Sequence, residues 1–260
     1  MPIITLTSDL GDTDLYVAAL KASVLGHCPG ATLVDISHKV PAYNLLEAAF
    51  LLKHVYRKFP ETTIHLAAVD PEAGSKQSGI VMKLDGHYFV GPDNGLFSLV
   101  KENKNADCVS IENRSVNAGD MSKSFVSQYI YAPVAAFLAN GGEFSSVGPV
   151  HSMKEFLWGE PTYSENSLRG IILHIDTFGN AVANIRKEEF LRIKGSRSFQ
   201  IYLRNLRLQR IVSSYSDVTK GEALALFGDS GNLEIAIREG SAKQLLGLSA
   251  QDMLTIEFYG

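Results

Sequence analysis

The spacing of apolar residues predicts alternating strands and helices in the first half of the chain. The runs IITLTS, TLVDIS and TIHLAAVD begin at positions 3, 32 and 63 and are apolar at most positions, as expected of strands buried on both faces. Segments 14–28 and 44–59 separate these runs and place their apolar residues at helical spacing. This order predicts a parallel sheet with helices on both of its faces.

The second half of the chain has a different pattern. Before it, Asp85-Gly86 favours a hairpin, and residues 130–142 favour a helix that ends at two glycines. From Gly170 onward, polar turns separate five strand-like runs, which favours an antiparallel sheet. These runs are RGIILHIDTFGNAVANI, SFQIYLRNL, EALALFG, NLEIAIREG and DMLTIEFYG.

These patterns predict an α/β fold class with two domains of unequal size. Residues 1–155 form a parallel-rich sheet flanked by helices, and residues 170–260 form a smaller antiparallel β domain. Residues 156–169 are rich in polar and turn-forming residues, so we expect them to form the linker.

Composition excludes several classes of function. The chain has 260 residues, 24 basic against 28 acidic side chains and a net charge of −4, without a basic run, so a nucleic acid is not expected as a partner. No apolar stretch is long enough for a membrane helix, and no basic leader precedes the first strand. The two cysteines, Cys28 and Cys108, have no metal-ligand spacing. We therefore expect a soluble, cytoplasmic protein without a metal site.

Candidate chemistry follows the first predicted strand, in the stretch TSDLGDTD. Asp9, Asp12 and Asp14 surround a single glycine, which is too few for a dinucleotide-binding loop. One interpretation is that these acids cap the following helix. The other is that Asp9, as the first acid after the strand, accepts hydrogen bonds from the two hydroxyl groups of a ribose.

Two further stretches carry polar residues at predicted strand ends. Residues 91–98, GPDNGLFS, fit either a tight turn or a site. In HIDTFGNAVANI, the residues Asp176, Phe178 and Asn180 alternate with other residues, so on a strand or bulge one face presents a carboxylate, a ring and a carboxamide. The alternative is that residues 176–180 form a hairpin corner.

Two acid–base candidates follow strands directly. Asp70 ends the apolar run LAAV just before a turn, although nothing beside it in the sequence explains a carboxylate there. His38 follows the second strand, and we interpret it as a structural histidine with satisfied hydrogen bonds.

In order along the chain, these stretches resemble the S-adenosylmethionine hydrolase and halogenase family, which contains the hydroxide adenosyltransferases and the fluorinases and chlorinases. The resemblance runs nearly end to end, through TSDLGDTDLYVAALK, CPGATLVDISHKV, VDPEAG, GPDNGLFS, YAPVAAFLANG, IDTFGNAVANI and GEALALFGDSGNLEIAIREGSA. It implies a homotrimer that binds S-adenosylmethionine, as a substrate and not as a cofactor, between the N-terminal domain of one subunit and the C-terminal domain of the next.

The resemblance also implies a role for each candidate residue. In the N-terminal domain, Asp9 holds the ribose diol, Asp14 lies in the same loop, and Tyr43 places an aromatic ring against the ligand. In the C-terminal domain, the implied ligand contacts are Asp176 to the methionine amine, Phe178 and Asn180 to adenine, Tyr215 and Ser230 to further parts of the ligand, and Glu239 through its backbone.

Asp70 matches the acid that orients or deprotonates water in the hydrolase branch, where halogenases have a tyrosine. The family's usual partners of this acid are absent by type, since Gln77 stands at the arginine position and Val126 at the histidine position. Lys76, beside Gln77, is a weak candidate for the missing positive charge.

Three functions follow from this pattern. The first is hydrolysis of S-adenosylmethionine to adenosine and L-methionine, at a reduced rate because the usual arginine and histidine are missing while a carboxylate can still accept a proton. The second is a binder or sensor of an adenosyl ligand without catalysis. Halide transfer is disfavoured, because the carboxylate of Asp70 repels an anion.

Overall fold

A computed structural model describes residues 1–70, 79–113, 125–156 and 160–260. The chain divides into two compact units, Met1–Leu157 and Trp158–Gly260, and each is described by itself. Lys76 and Gln77 lie outside the described residues. Among those residues, none of the helices has both the length and the apolar character that crossing a membrane requires.

The first unit contains a six-stranded sheet in the order β2-β1-β3-β5-β4-β6. Strands β2, β1, β3 and β5 are parallel, whereas β4 and β6 are antiparallel to their neighbours, so the prediction of a parallel-rich sheet is confirmed. The strands are β1 (Ile3–Ser8), β2 (Thr32–Ser37), β3 (Ile64–Ala68), β4 (Ile80–Leu84), β5 (His87–Gly91) and β6 (Asp107–Ser110).

Helices cover both faces of this sheet, as the apolar pattern predicts. Residues of α1 and α4 pack with one face of β1 and β3, and residues of α2 and α3 pack with the opposite face. Alternate residues of β3 divide between these two cores, with Leu66 in the first and Ala67 in the second. The helices are α1 (Tyr16–His27), α2 (Leu45–Val55), α3 (Leu96–Lys101) and α4 (Ala132–Ala139).

Local sequence signals explain several element boundaries. Asn44 caps α2, because its side chain accepts a hydrogen bond from the backbone N–H of Glu47. Asp85 and Gly86 both have positive φ angles, 49° and 80°, and form the predicted hairpin between β4 and β5. The predicted helix at 130–142 starts later as α4, because residues Ser127–Tyr131 form a π-helical turn before it.

The second unit contains the predicted antiparallel sheet, in the order β11-β10-β14-β8-β9-β13-β12, with β7 paired to β8. The stretch predicted as a linker, 156–169, includes β7 and the start of β8, because Thr162 and Tyr163 pair with Arg169 and Leu168. The helices of this unit are α5 (Lys187–Lys194) and α6 (Ala242–Leu246). The strands are β7 (Thr162–Tyr163), β8 (Ser167–Ile175), β9 (Ala181–Arg186), β10 (Ser198–Leu203), β11 (Leu206–Leu208), β12 (Ala223–Phe227), β13 (Asn232–Ile237) and β14 (Met253–Tyr259).

A buried histidine makes the stability of the first unit depend on pH. The ring of His65 is inaccessible to solvent and hydrogen-bonds through Nδ1 to Thr5 Oγ1 at 2.7 Å, while Nε2 lies 3.3 Å from Nδ1 of His87. Burial, followed by the charge of His87, lowers the pKa of His65 from 6.5 to about 3. Between pH 6.5 and about pH 3, the ring of His65 is therefore protonated in the unfolded chain and neutral in the native protein.

We expect the contribution of His65 to the free energy of unfolding to be complete above pH 6.5. It should fall by about 1.4 kcal/mol for each pH unit below that value, until pH 3. Urea unfolding at pH 7, 6 and 5 measures this slope, and His65→Gln should flatten it. His27→Gln, at an exposed position, is the control and should keep the wild-type slope. An unchanged slope in His65→Gln would contradict this assignment.

Candidate functional site

The carboxyl ends of two adjacent parallel strands bring Asp9 and Asp70 together. Strand β1 ends opposite β3, with Ser8 paired to Ala68, and the backbone N–H of Asp9 donates to the carbonyl of Ala68 at 3.4 Å. Asp70 follows β3 by two residues. Both acids therefore lie at the edge of the sheet where ligands of parallel α/β proteins usually bind.

One oxygen of Asp9 connects three of the predicted site residues. Oδ2 of Asp9 accepts a hydrogen bond from the backbone N–H of Tyr43 at 3.0 Å and another from the backbone N–H of Asp70 at 3.2 Å. These contacts join positions 34 and 61 residues away in sequence. Asp9 therefore holds the loops that carry Asp70 and Tyr43.

Both of these loops have a backbone conformation that few side chains adopt. Tyr43 has φ of 64° and Asp70 has φ of 45°, in the left-handed region. Such a residue costs roughly 1 to 3 kcal/mol, so it persists only where the surrounding structure holds it. At both positions, the hydrogen bond to Asp9 supplies part of that support.

Asn94 holds Asp70 from the other side. Its buried side-chain amide donates to the carbonyl of Val69 at 3.0 Å and to the carbonyl of Asp70 at 3.3 Å, and its oxygen accepts from the backbone N–H of Leu96 at 3.1 Å. We call Asp9 and Asn94 the Asp70 clamp. By sequence, residues 91–98 fit either a turn or a site, and nothing in the pattern distinguishes Asn94.

The neighbouring acid, Asp93, anchors a different segment. Its buried carboxylate accepts a hydrogen bond from the backbone N–H of Lys154 at 2.7 Å and lies 2.8 Å from Nε2 of His151. It also contributes, after burial, to raising the pKa of the Cys108 thiol to about 12. Cys108 is therefore an unreactive core thiol at neutral pH.

The other two acids of the first loop are not brought to Asp70. Asp12 pairs with Lys39 at 2.8 Å, and this hydrogen bond lowers the pKa of its exposed carboxyl group. Asp14 is exposed and makes no hydrogen bond or ion pair within the described part of the chain. Among the described residues, no group of three or more potential ligands is arranged to hold a metal ion.

His38 is held inside the fold. Nδ1 of its ring lies 2.7 Å from Ser8 Oγ, and Nε2 lies 3.1 Å from the carboxylate of Asp35. Although partial burial raises the pKa of Asp35, the hydrogen bond from Lys21 and the nearby ring of His38 lower it below the usual value. His38 is thus buried and hydrogen-bonded at Nδ1, whereas its buried Nε2 has no partner of acceptable hydrogen-bond geometry among the described residues, so the prediction of satisfied hydrogen bonds holds for one ring nitrogen.

The position where the resemblance implies a histidine is apolar. Val126 is half-buried and packs against the core that lies between α1, α4 and the sheet. It precedes the π-helical turn, whose carbonyl at Gln128 accepts a hydrogen bond from Ser23 Oγ at 2.6 Å. Val126 has no group that can accept a proton.

In the second unit, the hairpin corner forms, and the single strand face expected for Asp176, Phe178 and Asn180 is wrong. Residues 176–180 connect β8 to β9, because the backbone N–H of Asp176 donates to the carbonyl of Asn180 at 3.0 Å. The carboxylate of Asp176 accepts from the backbone N–H of Asn180 at 2.8 Å and from its side-chain amide at 2.9 Å. Gly179, with φ of 85°, permits this turn, and Phe178 projects into solvent with 79% of its surface exposed.

Three other predicted ligand contacts of this unit lie outside the hairpin corner at residues 176–180. Tyr215 is partly exposed and donates a short hydrogen bond from its hydroxyl group to Oε1 of Glu234. Ser230 accepts from the backbone N–H of Asn232 at 3.3 Å. Glu239 has φ of 53° and pairs with Lys220 at 3.0 Å, on the surface.

Glu234 is a further acid of the second unit, and it is absent from the sequence-based predictions. It lies in β13, and its side chain is buried although it carries a carboxyl group. Burial and the nearby charge of Asp176 raise the pKa of Glu234, while the hydrogen bond from Tyr215 acts in the opposite direction. An acid inside the apolar run NLEIAI is the signal that points to it.

Comparisons with known proteins relate both units of the chain to one protein family. Two protein-family models match the chain: the SAM hydroxide adenosyltransferase N-terminal domain over residues 4–148, and the C-terminal domain of the same name over residues 170–255. The match covers both units of the structure.

Curated relatives of the chain include hydrolases and a fluorinase, and a solved structure shares its fold. The (R)-S-adenosyl-L-methionine hydrolase of Methanocaldococcus jannaschii is 30% identical over 98% of this chain and 96% of its own length, and that of Thermus thermophilus is 31% identical over 93% and 94%. A fluorinase from Actinoplanes is 29% identical over 72% of this chain and 73% of its own length. An uncharacterized conserved protein from Thermotoga maritima superimposes with a TM-score of 0.90 at 31% identity, covering 97% of this chain and 99% of that one.

Proposed function

This chain belongs to the SAM hydroxide adenosyltransferase family, and on this basis we propose that it hydrolyses (R)-S-adenosyl-L-methionine to adenosine and L-methionine. The observation that carries the proposal is the position of Asp70 at the sheet edge. There the Asp70 clamp, Asp9 and Asn94, holds its backbone from two sides. Relatives at about 30% identity over nearly the full chain are named for this hydrolysis.

The proposed reaction is a displacement at C5′ of the ribose. The oxygen of water forms a bond to C5′ while the bond from C5′ to sulfur breaks, and methionine leaves with a neutral sulfur. The proton of the attacking water passes to the carboxylate of Asp70. Because the leaving group needs no proton, the protein has to supply only an aligned water, a proton acceptor and a site that excludes bulk water.

Asp9 suits the binding of the ribose diol. Its Oδ2 is occupied by the backbone of Tyr43 and Asp70, so Oδ1 is the oxygen that accepts from a ribose hydroxyl group. The same carboxylate thus links the ribose to the backbone of Asp70. Substrate binding and alignment of the general base depend on one side chain.

We assign the remaining contacts as the resemblance implies. Tyr43 has 73% of its surface exposed, so its ring is accessible to a ligand. The other assigned residues are Asp14 in the first loop, Asp176 at the methionine amine, Phe178 and Asn180 at adenine, and Tyr215, Ser230 and the backbone of Glu239 along the ligand. We further propose a cytoplasmic homotrimer with its sites at the subunit interfaces and no cofactor.

The alternative, an adenosyl-ligand binder without catalysis, is favoured by one observation. Val126 offers no proton acceptor, and it packs in an apolar core instead. An arginine would lower the pKa of Asp70 and fix its orientation, and Gln77 has no charge with which to do so. Hydrolysis by this chain therefore relies on Asp70 and its clamp, with no histidine at position 126 and no arginine at position 77.

Incubation of the purified protein with (R)-S-adenosyl-L-methionine tests the proposal, with adenosine and methionine quantified over time. We expect both products in equal amounts. If calorimetry shows that the ligand binds but no product forms, the protein is a binder or sensor and not a hydrolase. A parallel incubation with chloride should give no 5′-chloro-5′-deoxyadenosine, and its formation would support halide transfer instead.

A further inference from the structure

Glu234 breaks the pattern of its strand. Along β13, Leu233 and Ile235 face the larger core of the second unit, and Ala236 packs on the opposite face with Val218 and Leu224. Glu234 alternates with Leu233 and Ile235, so it lies on that opposite face, beneath the segment that carries Val218 and Tyr215. An apolar side chain would fill this position at a lower cost of burial.

Among the residues that the structure describes, no cationic side chain pairs with the carboxylate of Glu234. Only 8% of Glu234 is exposed, and within the described part of the chain its one hydrogen bond is from the hydroxyl group of Tyr215 to Oε1. The other oxygen, Oε2, lies over Gly228, where a Cβ would be 2.8 Å away.

Asp176 lies at the hairpin corner that leads into β9, and β9 pairs with β13 through Val182 opposite Glu234. Burial is the largest cause that raises the pKa of Glu234 and the pKa of Tyr215. The negative charge of Asp176 raises both pKa values further. Tyr215 therefore keeps its proton at neutral pH and is the donor in the hydrogen bond to Glu234. The two carboxyl groups and the phenol form a region of negative potential near the hairpin corner.

The direction of this hydrogen bond decides what Tyr215 can offer a ligand. A phenol has one proton, and Glu234 uses it. The lone pairs of the phenol oxygen are left to accept, so the partly exposed Tyr215 presents an acceptor and not a donor to solvent. A positively charged hydrogen-bond donor, such as an ammonium group, can donate to this oxygen, whereas a carboxylate has no proton to donate.

We propose that Glu234 is a specificity-determining residue that orients the hydroxyl group of Tyr215 and, together with Asp176, selects adenosyl ligands that carry an amino-acid ammonium group. The proposal rests on the proposed function, since it specifies which end of the substrate the second unit recognises. Glu234 acts through Tyr215 and the local potential, and is therefore a positioning residue.

Two ligands that differ in the amino-acid tail test this role. S-adenosylhomocysteine carries the amino-acid tail, with its ammonium and carboxylate groups, and 5′-methylthioadenosine has a methyl group in its place on the same thioether. Calorimetry should show that Glu234→Gln lowers the affinity for S-adenosylhomocysteine about tenfold and changes that for 5′-methylthioadenosine less than about twofold. Tyr215→Phe should have the same selective effect, and the double variant should add little to it.

The control is Glu222→Gln, which removes an exposed carboxylate near the start of β12 and should leave both affinities unchanged. A parallel loss of affinity for both ligands in Glu234→Gln and in Tyr215→Phe would show a merely structural role and overturn the proposal. Wild-type affinity for both ligands in these variants would overturn it as well, while leaving the hydrolase intact. Failure of the wild-type protein to bind either ligand would contradict the proposed function itself, and this inference with it.

Discussion

Replacing Asp70 by asparagine is expected to lower the rate of adenosine formation by about 10²-fold to 10⁴-fold, the usual contribution of a general base. The substitution keeps the size of the side chain, but an amide cannot accept the proton of the attacking water. Asparagine also tolerates the left-handed conformation that Asp70 adopts with φ of 45°, so the loop should keep its shape. The rate loss then reports on proton transfer and not on misfolding.

The measurement is the rate of adenosine formation at saturating substrate, with affinity for adenosine determined in parallel by calorimetry. Affinity should change little, because the clamp contacts the backbone of Asp70. Asp85→Asn is a matched control: Asp85 has φ of 49° in the hairpin of the same sheet, and its partners are Arg57 and Lys104. Adenosine formation by Asp70→Asn at the wild-type rate would remove Asp70 from the mechanism.

Replacing Asp9 by alanine is expected to affect both binding and turnover. The variant loses the carboxylate that accepts from the ribose, and each hydrogen bond to a charged group contributes about 1.5 to 3 kcal/mol. It also frees the backbone N–H groups of Tyr43 and Asp70, which Oδ2 holds. We expect affinity for adenosine to fall by about 10²-fold and the turnover rate to fall further than affinity accounts for.

Asn94→Ala separates the two effects of the Asp9 variant. It removes the other half of the clamp without removing a proposed ligand contact, so kcat should fall about tenfold while the Kd for adenosine stays within about twofold. Asn232→Ala is a matched control, because Asn232 is equally buried and donates to the carbonyl of Ala183 at 2.7 Å in the second unit. If Asn94→Ala lowers kcat no more than Asn232→Ala does, the clamp has no positioning role.

The elements of the fold follow from local patterns of residues. The runs at positions 3 and 32 became β1 and β2 with the predicted bounds, and the Asp85-Gly86 turn formed where its sequence favoured it. Such patterns are local because the repeat of a strand or helix spans only a few positions. The corner at residues 176–180 was ambiguous for the same reason, since its alternation also fits a strand.

The residues of the candidate site were partly visible in the sequence. An acid that ends a buried strand, as Asp70 does, and an acid that follows the first strand, as Asp9 does, stand out because charged side chains are uncommon next to buried apolar runs. Asn94 did not stand out, because asparagine between aspartate and glycine is an ordinary turn residue. The acid in NLEIAI was a visible signal of Glu234, but its partner Tyr215 is 19 positions away.

The sequence by itself determined the order of strands and helices, the change from a parallel to an antiparallel sheet, and the residue types available for chemistry, because each depends on periodicity and side-chain identity. Only the tertiary structure decided that Asp9 and Asn94 hold Asp70 from two sides, and that the hydroxyl group of Tyr215 donates to Glu234. These contacts join residues between 19 and 61 positions apart. Their partners are set by strand register and loop geometry in space, which no local pattern encodes.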